Sequence, residues 1–137
     1  MKVGTTTTFE AAHRLPRHLG ICARLHGHSY KVEVEAEGPC DETGAVIWFE
    51  TLDELVGGWI EQHLDHRFIA SPDEDPALLA AVPDHVICDG DPTAENLAAW
   101  IGRVAVSSLN APHLTSLTVK VYEIHGWGTC WATWTMS

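Results

Sequence analysis

The run LHGHSYKVEVEAEG, residues 25–38, alternates strictly enough to leave the chain few choices. His26, His28, Tyr30, Val32, Val34 and Ala36 fall on one side of an extended strand. Ser29, Lys31, Glu33 and Glu35 fall on the other. One face is apolar and the other charged, the pattern of an antiparallel sheet wet on one side. Residues 3–13 are rich in Thr and carry Phe9, Ala11 and His13 on one side of the same two-residue period. TSLTVKVYEIH and TCWATWTM predict two more strands, joined through Gly126 and Gly128. In the first of these Leu117, Val119, Val121 and Glu123 share a face, so an apolar line ends in a carboxylate.

Two segments carry the helical period instead. TLDELVGGWIEQHLDH (51–66) has Thr51 and Glu54 at capping-box spacing, and a stripe of Leu52, Leu55, Val56, Trp59, Ile60 and Leu64, weakened at Gly57-Gly58. DPTAENLAAWIGRVAVSSL (91–109) can be capped by Asp91 or Thr93, with Pro92 suited to its first turn. Its apolar face is Ala94, Leu97, Ala98, Ile101, Val104 and Ala105. Residues 67–92 read as a long acidic connection with Pro72, Pro76 and Pro83 and a short helix near Ala77 to Ala81. Connections of this length are commonly functional or mobile loops. The predicted order is β-β-α-α-β-β, an α+β fold built on a four-stranded antiparallel sheet.

At 137 residues one domain (1–137) is expected, and 45% apolar against 20% charged residues is a globular composition. A net charge of −11 argues against broad nucleic-acid or membrane binding. No apolar run reaches membrane-span length, and MKVGTTTTFEAAH lacks the apolar core of a signal peptide, so a cytoplasmic setting is expected. Cys22, Cys40, Cys88 and Cys130 form no C-x-x-C pair, and disulfides are not expected there. Half of the 8 Lys+Arg, namely Arg14, Arg17, Arg24 and Lys31, flank the HGH run. They could meet a small anionic substrate or simply be solvated.

Three histidines thus occupy core-facing strand positions. His26 and His28 project the same way, with Cβ atoms about 6.5–7 Å apart from the rise of a strand, and His13 offers a third nitrogen from a neighbouring strand. Neutral imidazoles suit Zn²⁺, and three ligands with an open fourth position is the catalytic pattern. The bland alternative is three hydrogen-bonded histidines at the core edge. A third reading keeps the metal but closes the site with Cys22 as fourth ligand. Cys22 could instead be a base or nucleophile beside Arg24, or an inert thiol. Asp65 can orient His66, or the pair can simply end a helix. Glu123, a carboxylate on a buried face, needs a partner. His18, His63, His85, His113 and His125 lie outside the three-strand register and read as surface or packing residues.

FEAAHRLP, CARLHGHSYKVEVEAEG, LDH, PTAENLAAWI and VKVYE, in this order, resemble the 6-pyruvoyl-tetrahydropterin synthase / 6-carboxytetrahydropterin synthase family. The spacing Cys-x₃-His-Gly-His resembles its carboxy-forming bacterial branch, that of queuosine and 7-deazapurine biosynthesis. The resemblance implies a tunnelling fold with two helices on one face of the sheet. Subunits would join into a homo-oligomeric barrel, with a hexamer favoured and sites at subunit interfaces. It implies Zn²⁺ on His13, His26 and His28, and Cys22 as the proton-abstracting base. Asp65 and His66 would form a proton relay, and Glu123 would anchor the pterin and join that relay. The implied reaction is a carbon–carbon lyase reaction. It takes 7,8-dihydroneopterin triphosphate to 6-carboxy-5,6,7,8-tetrahydropterin, acetaldehyde and triphosphate. Arg14, Arg17, Arg24 and Lys31 would steer the triphosphate by their position, not by family precedent. The alternatives are the pyruvoyl-forming synthase, a relative that cleaves the dihydroneopterin side chain, and a non-catalytic pterin- or purine-binding protein with structural zinc. The chain departs from the family at Trp48, where many relatives carry Asp, and in the length of residues 67–92. It departs again at Ile124, where Thr is usual, and in the HGWGTCWATW that follows.

Overall fold

The computed structural model describes residues 1–136. Strands β1 (Lys2–His13), β2 (His26–Glu37), β3 (Arg67–Ala70), β4 (His85–Ile87), β5 (Ser116–His125) and β6 (Gly128–Thr135) form a sheet of order β4-β3-β1-β2-β5-β6. Helices α1 (Phe49–Leu52) and α2 (Gly58–His63) are joined by a π-helical turn (Asp53–Gly57). α3 (Pro76–Ala81) and α4 (Ala94–Leu109) follow. The fold is α+β, as the alternation and the helical stripes predicted.

The sheet has six strands, not four. The two additional strands arise inside the stretch expected to be a connection. β3 runs parallel to β1, with Ala11 opposite Arg67 and His13 opposite Ile69, and β4 runs parallel to β3. Their length explains why periodicity missed them. β3 has 4 residues and β4 has 3, and Phe68, Ile69 and Ala70 are all buried, so no wet side marks an alternation. The short helix expected near Ala77 is α3, capped by Asp75, whose carboxylate accepts from Ala77 N at 2.8 Å.

The first helix also starts earlier than its capping signal suggested. Trp48, in extended conformation, holds the N-cap position without a side-chain bond, and Thr51 N already donates to Trp48 O. Thr51 and Glu54 therefore lie inside the helical stretch and form no capping box. At α4 the choice between Asp91 and Thr93 falls to Thr93, whose hydroxyl accepts from Asn96 N. Asn110 closes that helix at φ 43°, the left-handed conformation that Asn tolerates.

Both helical layers cover the same face of the sheet. Phe9, Tyr30, Val32, Val34, Val119 and Val121 meet Leu52, Val56, Ile60 and Leu64 from the first helices. They also meet Leu97, Ala98, Ile101 and Ala105 from α4. Each buried Val or Leu contributes about 1.5–3 kcal/mol, so this face dominates the driving force. Among the described residues no helix is long and apolar enough to cross a membrane.

Register then fixes the site. β1 and β2 pair from Lys2 opposite Glu37 to His13 opposite His26. β5 joins β2 with Tyr30 opposite Glu123 and Ser29 opposite Ile124. The apolar face of three adjacent strands therefore ends, at one edge of the core, in histidines and one carboxylate.

Candidate metal centre

His13, His26 and His28 project from that end with ligand atoms within 4.8 Å of one another. Each ring is oriented by a backbone carbonyl. His13 Nδ1 lies 2.7 Å from Pro92 O, His26 Nδ1 2.6 Å from Arg24 O and His28 Nδ1 3.1 Å from Ile124 O. A carbonyl only accepts, so all three neutral rings carry their proton on Nδ1 and present a bare Nε2. The Nε2 atoms of His13 and His26 are 3.2 Å apart. His28 Nε2 is buried and, among the described residues, has no hydrogen-bond partner. Three converging lone pairs repel unless a cation stands among them, and metal-binding imidazoles usually give their other ring N–H to a carbonyl or carboxylate in this way. The residues therefore fit a metal ion such as Zn²⁺.

Burial disfavours the charged form of two of these imidazoles. It pushes the His13 imidazole down to about 4, against the Pro92 carbonyl, and the neighbouring histidines push the same way. Burial also lowers His28, partly opposed by Glu123. Tyr30, fully buried, brings its hydroxyl to 3.2 Å from His13 Nδ1, and burial raises its pKa.

Glu123 Oε1 lies 3.3 Å from His28 Nε2 and 3.2 Å from His125 Nε2. His125 is a site residue that the sequence reading placed outside the register. It continues the Leu117–Glu123 line by one more step of two, and its ring centroid is 4.8 Å from that of His28. Extending the alternation past the carboxylate would have found it. His125 stacks on Trp127 at 4.6 Å, and Trp127 is itself largely exposed. With His28 and Glu123 it forms a second group of convergent ligand atoms.

Cys22 lies in a 3₁₀ turn (Ile21–Ala23) within the loop from His13 to His26, and is half-buried. Among the described residues its sulfur is in neither group of convergent ligand atoms. A closed Cys-His₃ site is thus not what the geometry presents.

The sequence model of the family "6-pyruvoyl tetrahydropterin synthase" matches residues 2–135. The chain belongs to the 6-pyruvoyl tetrahydropterin synthase family. It is an enzyme of that family, a lyase. It is 34% identical over 125 residues to the 6-carboxy-5,6,7,8-tetrahydropterin synthase of Rickettsia conorii, covering 84% of this chain and 88% of that one. It is 36% identical over 99 residues to the enzyme of the same name from Synechocystis, covering 69% and 66%. In fold it is similar to a catalytic-residue mutant of Plasmodium vivax 6-pyruvoyltetrahydropterin synthase, with a TM-score of 0.82 at 22% identity over 100% of this chain and 98% of that one. The Caenorhabditis elegans 6-pyruvoyl tetrahydropterin synthase superposes with a TM-score of 0.69 at 23% identity, over 100% of this chain and 96% of that one.

In this member of the synthase family the remaining predicted residues lie apart from the three histidines. Asp65 Oδ2 is 2.8 Å from His66 Nδ1, so Asp65 does orient His66. Asp65 Oδ1 accepts from Glu10 N, and that bond, reinforced by His66, holds its carboxyl below the usual carboxylate range. His66 has φ 57° and is exposed. It lines an open hollow with Glu10, Ala12, Gly27, His28 and Ser29. The cations are mostly committed. Arg14 is bound to buried Glu74, Arg17 to Asp91, and Lys31 to Glu33 on the wet face. A carboxylate already occupies three of them, and among the described residues only Arg24 of the four has none within 4.0 Å.

Proposed function

We propose that this chain is a zinc-dependent 6-carboxy-5,6,7,8-tetrahydropterin synthase. It would convert 7,8-dihydroneopterin triphosphate to 6-carboxy-5,6,7,8-tetrahydropterin, acetaldehyde and triphosphate, in a cytoplasmic route to 7-deazapurines such as queuosine. The observation that carries this reading is the convergence of three bare imidazole nitrogens beside Glu123, in a family whose relatives at 34–36% identity bear that name. His13, His26 and His28 would hold Zn²⁺, which would supply Lewis acidity toward the side-chain hydroxyls of the substrate.

The chain's own groups do the rest. Glu123 accepts N–H bonds from the pterin edge, and its neighbour His125, 3.2 Å from Oε1, fixes where that oxygen lies. Cys22, as thiolate, takes the proton from the side chain. His66, oriented by Asp65, would take up and pass on a proton at its outward nitrogen. By family resemblance the sites lie between subunits, so each active site would be completed by a neighbouring subunit. The free edges at β4 and β6 suit a homo-oligomer, a hexamer by family resemblance. Arg24 is the remaining cation for steering the triphosphate.

The test is turnover of 7,8-dihydroneopterin triphosphate by the zinc-loaded protein, followed by mass spectrometry and an acetaldehyde assay. Acetaldehyde and the 6-carboxy product are expected in equal amounts. A pyruvoyl product without acetaldehyde, or no turnover, overturns the assignment. Cys22→Ala is expected to lose turnover and keep its zinc. Loss of zinc in that variant would instead make Cys22 a ligand.

A further inference from the structure

The acidic stretch that follows β3 buries a carboxylate that core packing does not require. Glu74 is 4% exposed, and an unpaired charge there would be costly. Its partner is Arg14, the residue after His13. Arg14 Nε donates to Glu74 Oε1 at 2.8 Å and Oε2 at 3.0 Å, and Nη2 lies 2.8 Å from Oε1. Asp75 N donates to the same Oε1 at 2.9 Å. Burial opposes ionisation of Glu74, yet the Arg14 bonds and the Asp75 N–H hold its carboxyl below the usual range. The third guanidinium nitrogen, Nη1, reaches the carbonyl of Ala23 at 3.2 Å. One residue earlier, the carbonyl of Cys22 accepts from Leu15 N at 2.8 Å. The Cys22 turn is therefore held at two successive carbonyls by the two residues that follow His13.

We infer that Arg14, locked by Glu74, is a positioning residue that sets the Cys22 turn against the histidine cluster. The planar guanidinium suits this task because one edge grips the carboxylate while another N–H reaches a carbonyl at fixed angle. A lysine ammonium can satisfy either partner but lacks the fork for both. The same network extends to Arg17, which grips Asp91, and to Ser71, whose hydroxyl donates to Asp91 at 2.8 Å. Asp91 precedes Pro92, the carbonyl partner of His13. The acidic stretch thus braces both the thiol turn and the first imidazole.

The catalytic part of this inference rests on Cys22 as the base; the structural part does not. Arg14→Lys and Glu74→Gln are the test, the second lying far in sequence from any metal ligand. Zinc content, kcat and KM are measured, together with the iodoacetamide labelling rate of the Cys22 peptide by mass spectrometry. Both variants are expected to keep zinc, to lose roughly 10- to 100-fold in kcat at unchanged KM as a displaced base would, and to label Cys22 at least about threefold faster as the turn opens locally. Wild-type kcat and labelling alongside a lowered Tm would overturn the inference and leave the pair a stability element. If Cys22→Ala remains active, the base assignment fails, and the labelling rate alone still decides whether Arg14 sets the turn.

Discussion

His13 and His26 face each other Nε2 to Nε2 at 3.2 Å while each gives its Nδ1 proton to a backbone carbonyl. Two lone pairs at that distance, with His28 as a third, make the metal-free site a strained arrangement that a cation relieves. Zinc should therefore stabilise the fold. At a thousandfold excess over Kd the linkage is about 4 kcal/mol, which corresponds to a Tm rise on the order of 10 °C for a domain of this size. Thermal melts with and without chelator check it. His26→Ala should bind zinc far more weakly and show little chelator effect. An unchanged Tm on chelation would count against the site.

Acid should weaken the metal-free protein through His13. The folded imidazole is pushed down to about 4, while the unfolded one titrates near 6.5. Between those values the unfolded chain binds a proton that the folded chain refuses, so stability falls as pH falls. The full contribution is lost progressively from about pH 6.5 down to about 4, roughly 3 kcal/mol in all. Above pH 6.5 both states are neutral there and the slope from this group vanishes. Urea denaturation of chelated protein at pH 7, 6 and 5 measures it. His13→Asn should flatten that part of the profile, and a profile unchanged by the substitution would exclude His13 as its source.

Much of this was legible in residues alone because the sheet is half wet. Tyr30, Val32 and Val34 alternate with Lys31, Glu33 and Glu35, so the strand and the face of its histidines could be read together. Glu123 was legible for the same reason. His125 obeys the same alternation, but the line had already left the apolar pattern at Glu123. β3 and β4 were not legible, since burial of Phe68, Ile69 and Ala70 erases the period. Nor was the commitment of Arg14 to Glu74, because a pair 60 residues apart depends on the path of the chain between them.

Gly102 is where α4 lets β6 approach. A Cβ there would sit 2.1 Å from the Trp134 ring. Glycine in a helix costs about 1 kcal/mol relative to alanine, so Gly102→Ala would stabilise an isolated helix. Overpacking against an aromatic ring costs about 1–3 kcal/mol, and it should win. The expected result is a lower denaturation midpoint for Gly102→Ala. Adding Trp134→Leu should recover part of the loss, and independent, additive effects of the two substitutions would show that the contact is not the cause.

His125 should matter to substrate recognition and not to metal retention. Its Nε2 approaches Glu123 Oε1 at 3.2 Å, but it is absent from the group formed by His13, His26 and His28. Removing it frees the carboxylate that the proposed function assigns to the pterin edge. His125→Ala is expected to raise KM for the pterin substrate about tenfold, equivalent to about 1.4 kcal/mol of binding, with kcat changed less than KM. Zinc content should match that of the unsubstituted protein. His125→Gln, which keeps a donor near Glu123, should recover part of the KM. If zinc is lost instead, His125 belongs to the metal and the cluster holds four imidazoles. If neither KM nor zinc moves, the approach of His125 to Glu123 has no part in binding.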